Sequence, residues 1–90
     1  MKIILTYEYS HLDNNHQFGL EFKDAEYCDV YIYWIWFYLG SLLSEIVNHG
    51  HDIRLYPFES GNVIKEYKFC NNAERQAKLI ANRILKLKNK

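Results

Sequence analysis

Residues 24–50, DAEYCDVYIYWIWFYLGSLLSEIVNHG, decide the fold. Two readings compete for them. Val30 to Tyr38 is dense in β-branched and aromatic residues and so has the composition of a strand. A helical wheel favours the other reading. At ~100° per residue from Asp24, the aliphatic stripe Cys28, Ile32, Ile35, Leu39, Leu42, Leu43 and Ile46 falls between about 0° and 100°. Glu26, Asp29, Ser41, Ser44, Glu45 and Asn48 fall between about 140° and 300°. A strand would scatter both sets. The spacing therefore predicts one long helix over 25–48, with Asp24 as N-cap and Glu26 in the first turn. Gly50 follows as a left-handed cap. Such a helix is ~36 Å long, more than so small a domain requires, and Gly40-Ser41 is where a bend is expected.

The flanks read as strands and one more helix. Ile3, Leu5, Tyr7 and Tyr9 alternate with Lys2, Thr6 and Glu8, the period of a half-buried strand. Asp13-Asn14-Asn15 supplies a loop, and Phe18, Leu20 and Phe22 begin the alternation again. Ile53 and Leu55, then Val63, Tyr67 and Phe69, predict two further strands. A hairpin turn at Glu59-Ser60-Gly61-Asn62 would join them. Pro57 lacks a ladder donor, which puts the third strand at an edge. Asn71 or Asn72 caps a last helix with the stripe Ala77, Ile80, Ile84 and Leu87. The expected architecture is an α+β two-layer sandwich in the order ββαββα. Two helices would lie on one face of a four-stranded antiparallel sheet.

Ninety residues and 10.9 kDa fit a single domain, 1–90. Eleven Lys and Arg balance eleven Asp and Glu, which argues against a generic polyanion binder. Cys28 and Cys70 are too few for a disulfide framework. No basic and apolar leader with a cleavage site opens the chain. The apolar run Val30 to Leu43 is flanked by Asp29 and Glu45, only 16 positions apart, short of the ~20 residues a membrane span needs. The expected location is cytoplasmic, with reduced thiols. Ile, Asn, Lys and Tyr make up 33 of the 90 residues, whereas Ala, Gly, Pro and Arg make up 12. AT-rich codons serve the first set and GC-rich codons the second. The expected source is a low-GC bacterium, its phage or mobile element, or an archaeal virus.

Four constellations are candidates for function. The first is the aromatic back of the long helix, Tyr27, Val30, Tyr33, Trp34, Phe37 and Tyr38, between about 180° and 320° on the same wheel. Something must cover so much ring surface. Either the last helix or the Ser10–His16 loop covers it, or it is a protein interface, where Tyr and Trp are enriched. The covering chain would be a second copy, giving a homodimer, or a foreign protein. A membrane surface fits poorly, since no Lys or Arg lies on this face. The second is a charge split. Residues 1–74 carry five cations and eleven acids, net −6, and residues 75–90 carry six cations and no acid. Arg75, Lys78, Arg83, Lys86 and Lys88 are candidate nucleic-acid contacts, against the plainer reading of a solvated, dipole-complementing end. Docking on an acidic protein is a third use for that end.

The third constellation is His49-Gly50-His51-Asp52, with His11 or His16 near. It reads better as a polar turn than as a metal site, because no C-x-x-C spacing accompanies it. The fourth is catalytic: a Cys28–His pair, or Glu45 and His49 at i, i+4. The thiol sits on the buried stripe and the Glu–His pair suits a surface contact. No Gly-rich phosphate loop, G-x-S-x-G or H-E-x-x-H is present. The expectation is a protein-binding module with no chemistry, cofactor, metal or small-molecule substrate. In a phage or mobile element it would act as an inhibitor or modulator of a host or defence complex. A nucleic-acid-binding module using the C-terminal helix is the alternative.

Overall fold

A computed structural model of the chain describes residues 1–47, 52–57 and 61–88. The expected Gly50 cap, the His49–His51 turn, residues Glu59 and Ser60 of the expected hairpin turn, and Lys90 lie outside them. Two long strands come first: β1, Lys2–Ser10, and β2, Asn15–Lys23. They pair antiparallel with Leu5 opposite Leu20 and Tyr7 opposite Phe18. The loop between them turns at Asn14, whose φ is 54°, a left-handed value that Asn tolerates well.

The long helix is shorter than expected and broken. Helix α1 spans Asp29–Leu42, and a single turn, α2, follows at Ser44–Val47. Asp24 is not the N-cap. Asp24 and Tyr27 have φ of 55° and 64°, so a helix cannot run through either, and Cys28 becomes the N-cap. The Cys28 N–H donates to Ala25 O at 3.1 Å, and Cys28 O accepts the first helical bond, from the Ile32 N–H at 2.9 Å. The break falls at Leu43 rather than at Gly40-Ser41. There the Leu43 N–H still bonds Leu39 O at 3.0 Å, and the Leu43 side chain is buried. Leu42, expected inward, is exposed at the last position of α1.

Strand β3, Ile53–Tyr56, lies at one edge of the sheet and β4, Asn62–Lys68, at the other. The order is β3-β2-β1-β4. The expected all-antiparallel sheet is therefore wrong: it is mixed, with β3 parallel to β2 and β4 antiparallel to β1. The helical segment returns the chain to the far side of β2 and into a parallel pairing, the natural outcome of a strand-helix-strand crossover. Nor do β3 and β4 form a hairpin. Gly61 serves a different purpose: a Cβ there would meet Tyr7 O at 2.9 Å, so only glycine fits this close to the β1 backbone. The expected edge position of the Pro57 strand is observed.

Helix α3, Ala73–Lys88, is capped by Asn72, whose Oδ1 accepts the Arg75 N–H at 3.0 Å. Ala77, Ile80 and Ile84 of its expected stripe are fully buried, and Leu87 packs at their margin. Among the described residues there are thus three helices, not two. The core lies between the sheet side carrying Ile3, Leu5, Phe18, Leu20 and Ile53 and the helical residues Ile35, Leu39, Leu43, Ala77, Ile80 and Ile84. Tyr31 ties α1 to α3 by donating to Gln76 Oε1 at 3.2 Å. No described helix is long and apolar enough to cross a membrane.

Candidate interaction surfaces

The outer side of α1 carries the first candidate surface. A helix covered on two sides would show polar residues only at its ends; this one is apolar on both sides and packed on one. Ile35 and Leu39 face inward and are fully buried. Val30, Tyr33, Trp34 and Phe37 face outward and are 71%, 62%, 40% and 52% exposed. Tyr27, thrown out by its left-handed backbone, is 99% exposed. Tyr38 is half-buried and packs against the core, yet its ring touches both Trp34 (5.8 Å) and Phe37 (5.5 Å). Trp34 in turn meets Tyr33 at 5.4 Å and Phe37 at 5.3 Å, both edge to face, so the rings form one continuous surface. Neither α3 nor the Ser10–His16 loop buries it.

Taking ~200 Å² per aromatic side chain, the open surface of Tyr33, Trp34 and Phe37 is roughly 300 Å² before Val30 is added. The largest apolar patch of an ordinary monomer is ~300–600 Å², and a standard interface buries ~800 Å² per partner. Val30, Tyr33, Phe37 and Gly40 follow one another at 3-4-3 spacing, so they form a single seam. Gly40 is the notch in it: a Cβ there would meet nothing within 4 Å. Packing within the chain therefore does not require glycine at this position. Residues 24–47 contain Asp24, Glu26, Asp29 and Glu45 and no Lys or Arg, so the segment that carries the seam is itself acidic.

The basic set divides. Lys78 is paired with Glu74 at 3.5 Å, and Lys88 with Asp52 at 3.4 Å. Arg75 lies at the opposite end of α3 from Lys86 and Lys88. Arg83 and Lys86 alone of the five come together, at a cleft between β4 and α3. The third cation of this cleft is Lys65, which the sequence pattern did not single out. It is opposite Leu5, on the covered side, and Glu66 is opposite Ile4. Burial raises the pKa of the Tyr67 hydroxyl in this cleft above its usual value, against an opposing pull from Arg83. That hydroxyl donates to Leu79 O at 3.5 Å.

Compared with known protein families, with curated proteins and with solved structures, the chain matches none.

The polar residues near β3 make a structural knot. Tyr7 Oη and His16 Nδ1 are 2.8 Å apart, and His16 Nε2 lies 3.9 Å from Asp52. The His16 N–H donates to Asp52 O at 2.7 Å, and Lys88 reaches the same carboxylate. These contacts join β1, β2, the start of β3 and the end of α3. Burial, and secondarily Tyr9, raises the pKa of the Tyr7 hydroxyl. Among the described residues no three His, Cys, Asp or Glu side chains could share a metal ion. The Glu45–His49 pair falls partly outside the described residues. Cys28, expected on the buried stripe, is half-buried at the helix cap, and Cys70 is also half-buried.

Proposed function

We propose that this chain is a protein-binding module that docks a foreign protein on the outer seam of α1. The observation that carries the reading is the exposure of Val30, Tyr33, Trp34 and Phe37 on a helix whose other side is fully packed. Its partner presents an apolar ridge flanked by Lys or Arg. The charge of residues 24–47 argues for that chemistry: two copies meeting there would set one acidic segment against another, whereas a basic partner complements it. The reading assigns the chain no reaction, cofactor or small-molecule substrate. The AT-rich composition suggests a phage or mobile element in a cytoplasmic setting, where such a module would inhibit or modulate a host or defence complex.

Trp34→Ala tests it, with Phe37→Ala beside it. Both side chains are large, central to the seam and rich in ring contacts, the profile of an interface anchor. A photo-crosslinker at Val30 identifies what is captured from host extract and which segment touches the seam. The expected result is a monomer by light scattering and a captured segment with apolar residues beside Lys or Arg. Affinity should fall on the order of 30-fold or more in Trp34→Ala, the effect of losing ~2 kcal/mol. Folding, read by circular dichroism, is retained. A stable dimer that depends on Trp34 overturns the foreign-partner reading. Loss of folding in both variants makes the seam ordinary core. Retention of the same proteins by wild type and Trp34→Ala also overturns it.

A further inference from the structure

The cleft between β4 and α3 has a volume of ≈290 Å³ and is lined by Lys65, Tyr67, Leu79, Asn82, Arg83 and Lys86. Three of these six are cations and none is an acid. Arg83 and Lys86 are three residues apart on α3 and so share a helix face. Lys65 comes from the edge strand, on the side of the sheet that α3 covers. Lys2, Arg54, Lys78 and Lys88 each have a carboxylate within 4 Å. Lys65, Arg83 and Lys86 have no ion pair with any described residue.

Acids are not scarce in this chain, since they equal the bases in number. They are placed elsewhere. Like charges held around one cavity raise the energy of the empty site, and an anion between them relieves it. The donors suit an anion with several oxygens: a guanidinium fork, two ammonium groups and the Asn82 amide, beside the ring of Tyr67 and the side chain of Leu79. We propose that this cleft is a phosphate-binding site in which Lys65, Arg83 and Lys86 hold a phosphoryl group carried by a nucleotide or a nucleic-acid strand. It is separate from the seam on α1 and does not depend on the reading given to it.

The test measures binding of three probes by the full chain: oligo(dT), adenosine monophosphate and inorganic phosphate. Arg83→Gln, Lys86→Gln and Lys65→Gln are compared with Lys23→Gln, which removes the same charge from the end of β2. All four side chains are exposed, so folding is retained. Three contacts to a single strand predict a roughly 20-fold affinity loss between ~50 and ~200 mM salt, and two contacts roughly sevenfold. Wild type and Lys23→Gln should show the larger fall, and each cleft variant weaker binding with the smaller fall. That result supports the site with a strand as its ligand. Saturable binding of adenosine monophosphate or phosphate alone, lost in the cleft variants, supports the site with a small ligand. No saturable binding of any probe at low salt overturns it, as does an equal loss in Lys23→Gln.

Discussion

Helix α3 buries Ala77, Ile80 and Ile84 and turns Glu74, Arg75 and Lys78 outward. Helix α1 buries Ile35 and Leu39 and turns Val30, Tyr33, Trp34 and Phe37 outward. Both lie over the same side of the same sheet and share its core. Their inner sides are interchangeable in kind, each a narrow aliphatic stripe. Their outer sides are not. The outer side of α3 is what water selects for a helix on a small domain. The outer side of α1 is the one that, on the proposed reading, a second protein would cover. The fold needs only the two inner stripes, so the aromatic surface is an addition that folding alone does not explain.

The largest effects test the equality of the inner sides. Leu39→Ala and Ile80→Ala remove fully buried side chains, one from each helix, and each should cost ~2–5 kcal/mol in chemical denaturation. A cost under ~1 kcal/mol for Leu39→Ala alone would mean that α1 is only loosely docked, and the comparison would fail. Next comes the bond between the helices. Tyr31→Phe deprives the buried Gln76 amide of its donor and should cost ~1–3 kcal/mol. Burial chiefly raises the Tyr31 pKa above 10.0, partly offset by a backbone hydrogen bond from Cys70, with the Cys70 and Cys28 thiols adding to the rise. The folded state thus holds that proton more tightly than the unfolded chain does. The contribution is complete below the unfolded value of 10.0 and is lost as pH rises through the higher folded value. Denaturation midpoints measured from about pH 8 upward should therefore fall only on the alkaline side. Tyr31→Phe should flatten part of that fall, with Tyr7 and Tyr67 responsible for the rest.

Smaller effects test the outer sides. Gly40→Ala should stabilise the fold by ~1 kcal/mol, because the position is helical and a methyl group there meets open space. The same change fills the notch in the seam, so partner affinity should drop while the melting temperature rises. Smallest of all are Val30→Thr and Lys78→Gln, one on each outer side. Both should alter stability by no more than ~0.5 kcal/mol. Only Val30→Thr should weaken docking. If both leave binding untouched, the partner does not reach the first turn of α1.

The parts legible in the sequence are those in which local pattern and final contact agree. The β1–β2 hairpin was readable because Ile3, Leu5 and Tyr7 alternate and Phe18, Leu20 and Phe22 alternate again across an Asn-rich turn. Helix α3 was readable from its cap and its 3-4-3 stripe. The aromatic seam was readable because a wheel separates Trp34 and Phe37 from Ile35 and Leu39 whatever lies beyond. Pairing across the sheet was not readable. A glycine between two short strands has the composition of a hairpin turn, and nothing local reveals that Gly61 is there to clear Tyr7 O. The start of α1 was missed because left-handed backbone at Asp24 and Tyr27 carries no glycine to announce it. Lys65 was missed for a related reason. An irregular register between Leu5 and Thr6 places Lys65 opposite Leu5 and Val63 opposite Thr6, leaving Ile64 as an extra residue. Which side of the sheet Lys65 joins therefore depends on a pairing that its neighbours do not specify.

The two borders of the sheet carry a consequence for how this chain meets other molecules. One border is β3, four residues long and stopped by Pro57, which has no N–H to offer. The other is β4, kinked at Ile64 and bristling with the exposed Lys65, Glu66 and Lys68. Brevity, proline, kinks and charge are the features that keep a stray strand from zipping on to a sheet. Both borders are thereby poor templates for fibre growth and for strand exchange between copies. If the α1 seam docks a partner as proposed, ring shapes and charges rather than the peptide backbone would make the contact.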